Sequence, residues 1–255
     1  MPRKELRYMV DNIALFECDK LLAELASFRP IEKRHLKQIR AFWRVGLTYS
    51  SNALEGNTLT ESETKVILED GLTIGGKSVR EHMEAIGHAD ALNYLYQVVD
   101  RKEDFDEDQI QEIHRLFYHR IDDNQAGKYR GQNVLISGTQ YIPPDHKEVL
   151  SLMSKFLDEN CPYQHPIERA SWYHAQFVNI HPFVDGNGRT ARLLINLELL
   201  KNGYPIVAIP PIYRAQYIQA CERGNQGDFS AMTSLLSGVT KQSLIDYLRQ
   251  LRKLA

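Results

Sequence analysis

Cysteine is scarce in this sequence: Cys18, Cys161 and Cys221 are odd in number, widely spaced and form no CxxC pair. Neither a disulfide framework nor a thiolate zinc site is supported. An excess of charge is missing too. The 31 Lys and Arg side chains against 33 Asp and Glu leave a formal charge of −2 at pH 7, which removes the global electrostatic reason to expect nucleic acid or an anionic membrane as a partner. Apolar runs such as Ile206 to Ile212 are far too short to span a bilayer. The opening residues, Met1-Pro2-Arg3-Lys4-Glu5, lead into charge without an apolar signal core, so a reducing cytoplasm is the expected compartment. Strand-like alternation is also rare.

What is present is helical. With 43% hydrophobic residues over a length of 255, the chain can bury a sizeable core without staples. Leu15, Leu22, Leu25 and Phe28 recur at near-helical spacing from about Tyr8, and Pro30 ends that element and opens the next. Thr60-x-x-Glu63 and Ser78-x-x-Glu81 read as capping boxes, each starting a helix. Further helices are expected over about Glu107 to Arg120, His146 to Asn160, Ile167 to Ile180, Asn187 to Lys201, Tyr213 to Arg223, and from Lys241 to the C-terminus. One stretch, Gln132 to Ile142, is β-branched and aromatic-rich around Ser137-Gly138 and stops at Pro143-Pro144, which predicts a short β-hairpin. The expected fold is therefore an all-α, mainly helical bundle with one short β-hairpin flap. Its expected divisions are a helical region over 1–103, a core over 104–236 and a C-terminal helix over 237–255.

The chemistry concentrates in His181-Pro182-Phe183-Val184-Asp185-Gly186-Asn187-Gly188-Arg189-Thr190-Ala191-Arg192. Gly186 and Gly188 flank Asn187 at a helix start, where tight turns leave N–H groups pointing outward and make an anion cradle. Arg189 and Arg192 are three apart on that helix and share a face that can grip further phosphate oxygens. Asp185 is a hard oxygen ligand where a phosphate-bridging Mg²⁺ would sit. His181, on the preceding loop, suits proton removal from an attacking hydroxyl near neutral pH. The stretch also satisfies a loose G-x-G-x-x-A, but no hydrophobic strand precedes it, so a dinucleotide site is weakly supported, and the P-loop pattern is absent. A tight helix start with two solvated arginines would explain GNG alone. Histidine, carboxylate, cradle and paired arginines together point to metal-assisted phosphoryl or nucleotidyl transfer.

His181 to Arg192 matches in full the HxFx(D/E)GNGRxxR signature of the Fic family of AMP-transferring enzymes, and the chain resembles that family from about Ser50 to Asp228. Gly127-Lys128-Tyr129-Arg130, ahead of the hairpin, looks like the family's approach to its flap. Ser51-Asn52-Ala53-Leu54-Glu55-Gly56 is similar to its (S/T)xxxE(G/N) inhibitory motif in the class with an N-terminal inhibitory helix. The resemblance implies that His181 is the general base for a target-protein Ser, Thr or Tyr hydroxyl attacking the α-phosphate of ATP, with Mg²⁺ or Mn²⁺ on Asp185. It implies that Gly186, Asn187 and Gly188 bind phosphates, that Arg189 assists, and that Arg192 holds the γ-phosphate unless Glu55, beside Ser51, takes it in a bidentate pair. Phe183 would anchor the loop. Val134, Leu135, Ile136, Ser137, Gly138 and Thr139 would align an extended target segment, while Tyr217 and Asn225 occupy places where relatives contact the adenosine. A homodimer and self-modification follow by analogy with relatives.

Two other classes of function stand beside this one. One is hydrolytic removal of AMP from a modified protein, with Glu55 positioning water, alone or alternating with transfer. The other is a regulatory binding module with secondary catalysis. His114, His165 and His174 lack metal-ligand spacing and are expected to be structural or at the surface. Lys33, Lys37, Arg40 and Arg44 form a basic stripe that reads as a solvated helix face, and Trp43 and Trp172 read as core aromatics.

Overall fold

A computed structural model describes residues 3–101, 106–158 and 161–254, with side chains from Ile13 onward. Local rules set the helix boundaries. Helix α1 (Arg3–Ser27) ends before Pro30, and α2 (Lys33–Leu54) follows. Thr60 closes its capping box with Glu63 to start α3 (Glu61–Lys65), which runs on into a π-helical turn, Val66–Asp70. Ser78 and Glu81 bond each other's backbone N–H at 2.8 and 3.2 Å and launch α4 (Val79–Arg101). Asp106 caps α5 (Glu107–Tyr118). A 3-10 turn at His146–Glu148 leads into α6 (Val149–Asp158), and His165 with Pro166 starts α7 (Pro166–Ile180). After the motif loop come α8 (Asn187–Lys201), α9 (Arg214–Gly224) and α10 (Ser230–Leu254).

The hairpin expected over 132–142 is not formed, and among the described residues no strand pairs with another. Ser137-Gly138 does turn, with Gly138 at φ +82°. The arms on either side are tied to different anchors. Asn133 accepts from the His146 N–H at 2.8 Å, and the Tyr141 hydroxyl donates to the Asn179 carbonyl at 2.8 Å. Leu135 is 85% exposed and Ile142 73%, so the pair has no apolar face to bury, and an isolated two-stranded hairpin is marginal in water. The fold class is accordingly all-α, with an irregular segment where the flap was expected.

A second difference lies in α10, which begins at Ser230 rather than near Lys241. Gly238 is carried inside the helix at a cost of about 1 kcal/mol relative to alanine. Leu236, Val239 and Leu244 on the same helix are buried, and α10 meets α1 through Cys18 Sγ on the Ser237 carbonyl and Lys241 on Glu17. Trp43 and Trp172 are core residues, at 9% and 3% exposure. Of the basic stripe, Lys33 and Lys37 face solvent, whereas Arg40 makes two bonds to Asp100 and Arg44 donates to the Leu68 carbonyl.

Helices α7 and α8 pack against each other at the centre, with Phe177, Leu193 and Leu199 fully buried. Helix α8 touches α2, in whose C-terminal half Thr48, Ser50, Ser51 and Asn52 are buried polar residues in an otherwise apolar interior. That polar helix end faces the motif. No helix among the described residues is long and apolar enough to cross a membrane.

Candidate active site

The motif loop begins with a non-glycine residue in left-handed conformation: His181 has φ 52° and ψ 58°, and its N–H donates to Phe177 at 3.0 Å. Such a residue persists where its surroundings over-determine it, and here Arg130 does so. Its backbone N–H donates to the Pro182 carbonyl at 2.8 Å, and its guanidinium donates to the carbonyls of His181 (2.8 Å), Pro144 (2.6 Å), Gln132 and Ile180. Arg130 is 2% exposed, and the carbonyl end of α7 supplies the negative potential that offsets its buried charge.

Further along, Phe183 is fully buried and stacks on the His114 ring at 3.7 Å, nearly parallel. The Asn187 side chain donates to the Phe183 carbonyl at 2.8 Å and accepts from its N–H at 2.9 Å, closing the loop on itself. Gly127 N–H donates to His114 Nδ1 at 2.9 Å, which assigns the proton to Nε2, where it bonds the Asp185 carbonyl at 3.0 Å. Burial pushes this ring down to about 4 and keeps it in that neutral form. Gly186 caps α8 at φ 79°, and a Cβ there would meet the Phe117 ring at 2.9 Å. The first N–H groups of α8, at Asn187, Gly188 and Arg189, have no intrahelical acceptor and form the cradle.

Charges of both signs converge on it. Arg192, 3% exposed, donates from Nη2 to Glu55 Oε1 at 2.7 Å and to the Ser51 carbonyl at 2.8 Å. Its Nε donates to Ser51 Oγ at 3.0 Å and its Nη1 to the Tyr217 hydroxyl at 2.9 Å. The Glu55 pair is thus end-on rather than bidentate, because Ser51 and Tyr217 occupy the remaining guanidinium edges. A Cβ on Gly188 would collide with Glu55 Oε1, so the carboxylate lies directly against the cradle. Burial alone would raise its pKa, but Arg192 and then Arg189 outweigh burial and hold Glu55 ionised, below the usual carboxylate range. Arg189 is 4% exposed, sits over the Phe117 ring at 4.4 Å and pairs with Glu84 at 3.0 Å.

Asp185 accepts from the Gly186 N–H at 2.6 Å and from Arg80 at 2.7 Å. Burial opposes its ionisation, and Arg189, the Gly186 N–H and Arg80 reverse that and depress its pKa. His181 is pushed down to about 4, chiefly by burial and then by the Arg130 charge, against the pull of the Val178 carbonyl, Asp185 and Glu55. It is a neutral imidazole at pH 7. The arrangement can seat an anion, hold a hard cation and accept a proton.

His181, Asp185, Gly186, Asn187, Gly188, Arg189 and Arg192 therefore lie in one place, with Ser51 and Glu55 from α2 against them. The Asn187 side chain is committed to Phe183, so an anion there meets its backbone N–H. Tyr217 is 7% exposed and stands behind Arg192, its hydroxyl also 2.9 Å from His174 Nε2. Asn225 follows α9, and its Oδ1 is buried without a partner. Val134 to Thr139 lie in the irregular segment, tied by Tyr141 to the end of α7. His114 and His174 are buried without metal-ligand spacing, and among the described residues no His, Cys, Asp or Glu group of three could alone hold a metal.

Sequence reasoning missed Arg80, Glu84, Arg130, the role of His114, and Asn52, whose Oδ1 accepts from Arg189 Nη1 at 3.4 Å. An i, i+4 Arg80–Glu84 pair reads as a solvated helix face. Glu84 is only 8% exposed, a contact decided more than a hundred positions away. For Arg130, the Gly-Lys-Tyr-Arg run was the available signal.

The Fic/DOC family matches residues 104–199. Protein adenylyltransferase Fic of Drosophila sechellia, like that of Drosophila melanogaster, is 36% identical over 204 residues, covering 78% of this chain and 41% of that protein. The chain thus spans about two fifths of the length of these curated relatives. Among solved structures, Fic-1 from C. elegans superposes with a TM-score of 0.87 at 30% identity, covering 99% of this chain and 76% of that one. A Fic domain containing signaling protein from Bacteroides thetaiotaomicron gives 0.83 at 25% identity, covering 93% and 97%.

Proposed function

The chain belongs to the Fic/DOC family, and from that premise we propose that it is a protein adenylyltransferase, moving AMP from ATP to a Ser, Thr or Tyr hydroxyl of a target protein. The observation that carries this reading is the ionised Glu55 carboxylate lying against the α8 cradle and on Arg192. A site that receives its own chain's anion this way is built for an anion of comparable charge, such as a terminal phosphate.

In this reading His181 takes the proton of the target hydroxyl as its oxygen forms the new bond to the α-phosphorus. The bond from that phosphorus to the bridging oxygen breaks, and pyrophosphate leaves. Being neutral at pH 7, the imidazole is in the form that accepts this proton. The backbone of 187–189 receives phosphate oxygens, and Arg192 holds the γ-phosphate. Arg130 keeps the His181 loop in place throughout.

The donors present also fit a Mg²⁺ or Mn²⁺ ion. Asp185 is one ionised, half-exposed carboxylate, 41% accessible, at the rim of the cradle, and Mg²⁺ in phosphate-transfer sites is held by one or two carboxylates with substrate phosphates and waters. When bound, the ion offsets charge on the phosphates as pyrophosphate departs.

Glu55 regulates the reaction by occupying Arg192, so that the γ-phosphate has no partner and the α-phosphate is misaligned. The test uses ATP labelled on the α- or the γ-phosphate with the Glu55→Gly variant and a cell lysate, with labelling of the chain itself as a second readout. Label on protein from α-labelled ATP alone supports AMP transfer. Protein labelled from the γ-position, or from neither, sinks it.

A further inference from the structure

We propose that Arg80 is a built-in counter-cation for Asp185 that competes with the divalent ion for this carboxylate, so that metal loading requires one side chain to be displaced. The proposal rests on the reading of Asp185 as the metal-holding residue.

The geometry is specific to the two carboxylate oxygens. Oδ1 accepts the Gly186 N–H at 2.6 Å and lies 3.7 Å from Arg189 Nη2, so it is turned into the cradle. Oδ2 takes Arg80 Nη2 at 2.7 Å and lies 3.4 Å from the Tyr118 hydroxyl. A hard cation at the rim has to use Oδ2, the oxygen Arg80 holds. A divalent ion bonded to Oδ2 at about 2.0–2.1 Å would lie against the Arg80 guanidinium, so the ion and Arg80 compete for this oxygen.

Arg80 is also placed to leave. It stands at the start of α4, where the Ser78–Glu81 capping box fixes the backbone, and its side chain is 54% exposed. Its Nε lies 3.2 Å from Glu84 Oε1, the oxygen that also meets Arg189 at 3.0 Å, while Asn57, two residues after Glu55, donates to Glu84 Oε2 at 2.9 Å. The guanidinium can swing from Asp185 into solvent while Glu84 stays paired with Arg189. An ion pair this exposed is weak, which suits a group meant to be displaced.

Charge balance supports the same reading. Arg80, Arg189 and Arg192 face Asp185, Glu84 and Glu55, so each candidate ligand group has an internal partner. Glu55 stands where a phosphate would bind and Arg80 where a metal would. The two devices act on different charges and can be separated by experiment.

The experiment measures calorimetrically how tightly the full chain binds α,β-methylene-ATP in Mg²⁺ and in EDTA, and takes the ratio of the two affinities. The ratio should rise about three- to tenfold in Arg80→Gln and stay near the wild-type value in Arg80→Lys, which keeps a competing cation. Asp185→Asn should reduce the ratio towards one. An Arg80→Gln ratio equal to or below wild type, with Asp185→Asn behaving as stated, overturns the Arg80 proposal and leaves Asp185 as metal holder. A wild-type ratio in Asp185→Asn overturns both.

Discussion

Between Ile180 and Asn187 the chain makes an irregular passage in which Arg130, His114 and Asn187 hold the carbonyls of His181, Pro182, Phe183 and Asp185. Between Gly131 and Asp145 it makes another, in which Leu135 is 85% exposed and the residues on either side of Ser137-Gly138 find no strand partner. Both border the same site. Saturation of the first holds a left-handed histidine and a cradle in one arrangement, the preorganisation that transfer chemistry would need. On the proposed function, the second, exposed and without a strand partner, is where an extended segment of another chain would pair. On that reading, rigid chemistry and adaptable docking would be divided between two loops.

The comparison breaks first at His181. If the closed loop exists to present a base, His181→Ala in a Glu55→Gly background should lower AMP transfer by about 10²–10⁴-fold while nucleotide affinity stays within about twofold, the imidazole not being a principal phosphate partner. The ring's pKa of about 4 adds a sign: protonation removes the base, so kcat/KM should be flat from pH 7 to about 5 and fall only as pH approaches 4. A loss of binding as large as the loss of turnover would make the loop a binding element instead.

Glu55 gives the next largest effect. A competition for Arg192 worth about 3 kcal/mol keeps the productive arrangement near one per cent, so Glu55→Gly should raise transfer roughly a hundredfold. Adding Arg192→Ala should bring the rate back down. Equal rates for wild type and Glu55→Gly, in autolabelling and across several targets, would end the inhibitory reading without touching the transferase assignment.

The unequal legibility of these regions has a physical cause. The cradle could be read from sequence because its requirements are local: glycines where a Cβ would strike Phe117 or Glu55, and arginines one helical turn apart. The contact of Glu55 with Arg192 was legible through its SxxxEG context. The end-on geometry of its pair was not, since Tyr217 fills the remaining edge of Arg192 from 25 positions away. Arg80 and Glu84 stayed hidden because their partners are set by how α4 packs on α8. The hairpin was misread for the complementary reason. Strand propensity in Val134, Leu135 and Ile136 describes residues that fit a half-buried pleat, and the fold supplies no second face there.

A stability measurement sharpens the same contrast. Asn187→Ala removes an amide whose two bonds close the motif loop and strands the buried N–H and carbonyl of Phe183. It should destabilise the protein by about 1–3 kcal/mol in urea unfolding. A change below about 0.5 kcal/mol would mean the loop is held by Arg130 and Phe183 without it.

The smallest expected effect on stability falls on the open segment. Leu135 buries almost nothing in the protein alone, so Leu135→Ala should leave unfolding free energy within about 0.5 kcal/mol. If the segment lies along a target, the same truncation removes an apolar contact formed only in the complex, and KM for that target should rise about three- to tenfold, from roughly 25 cal/mol per Å² of lost burial. The turnover number should not move, because the side chain does not touch the reacting atoms. Leu135→Pro separates side-chain from main-chain docking: it removes the N–H that an added strand would use and should raise KM further. An effect of Pro without one of Ala assigns the docking to backbone pairing. An unchanged KM in both variants, against a target whose modification depends on His181, would detach the segment from target recognition and leave its exposed leucine without a role.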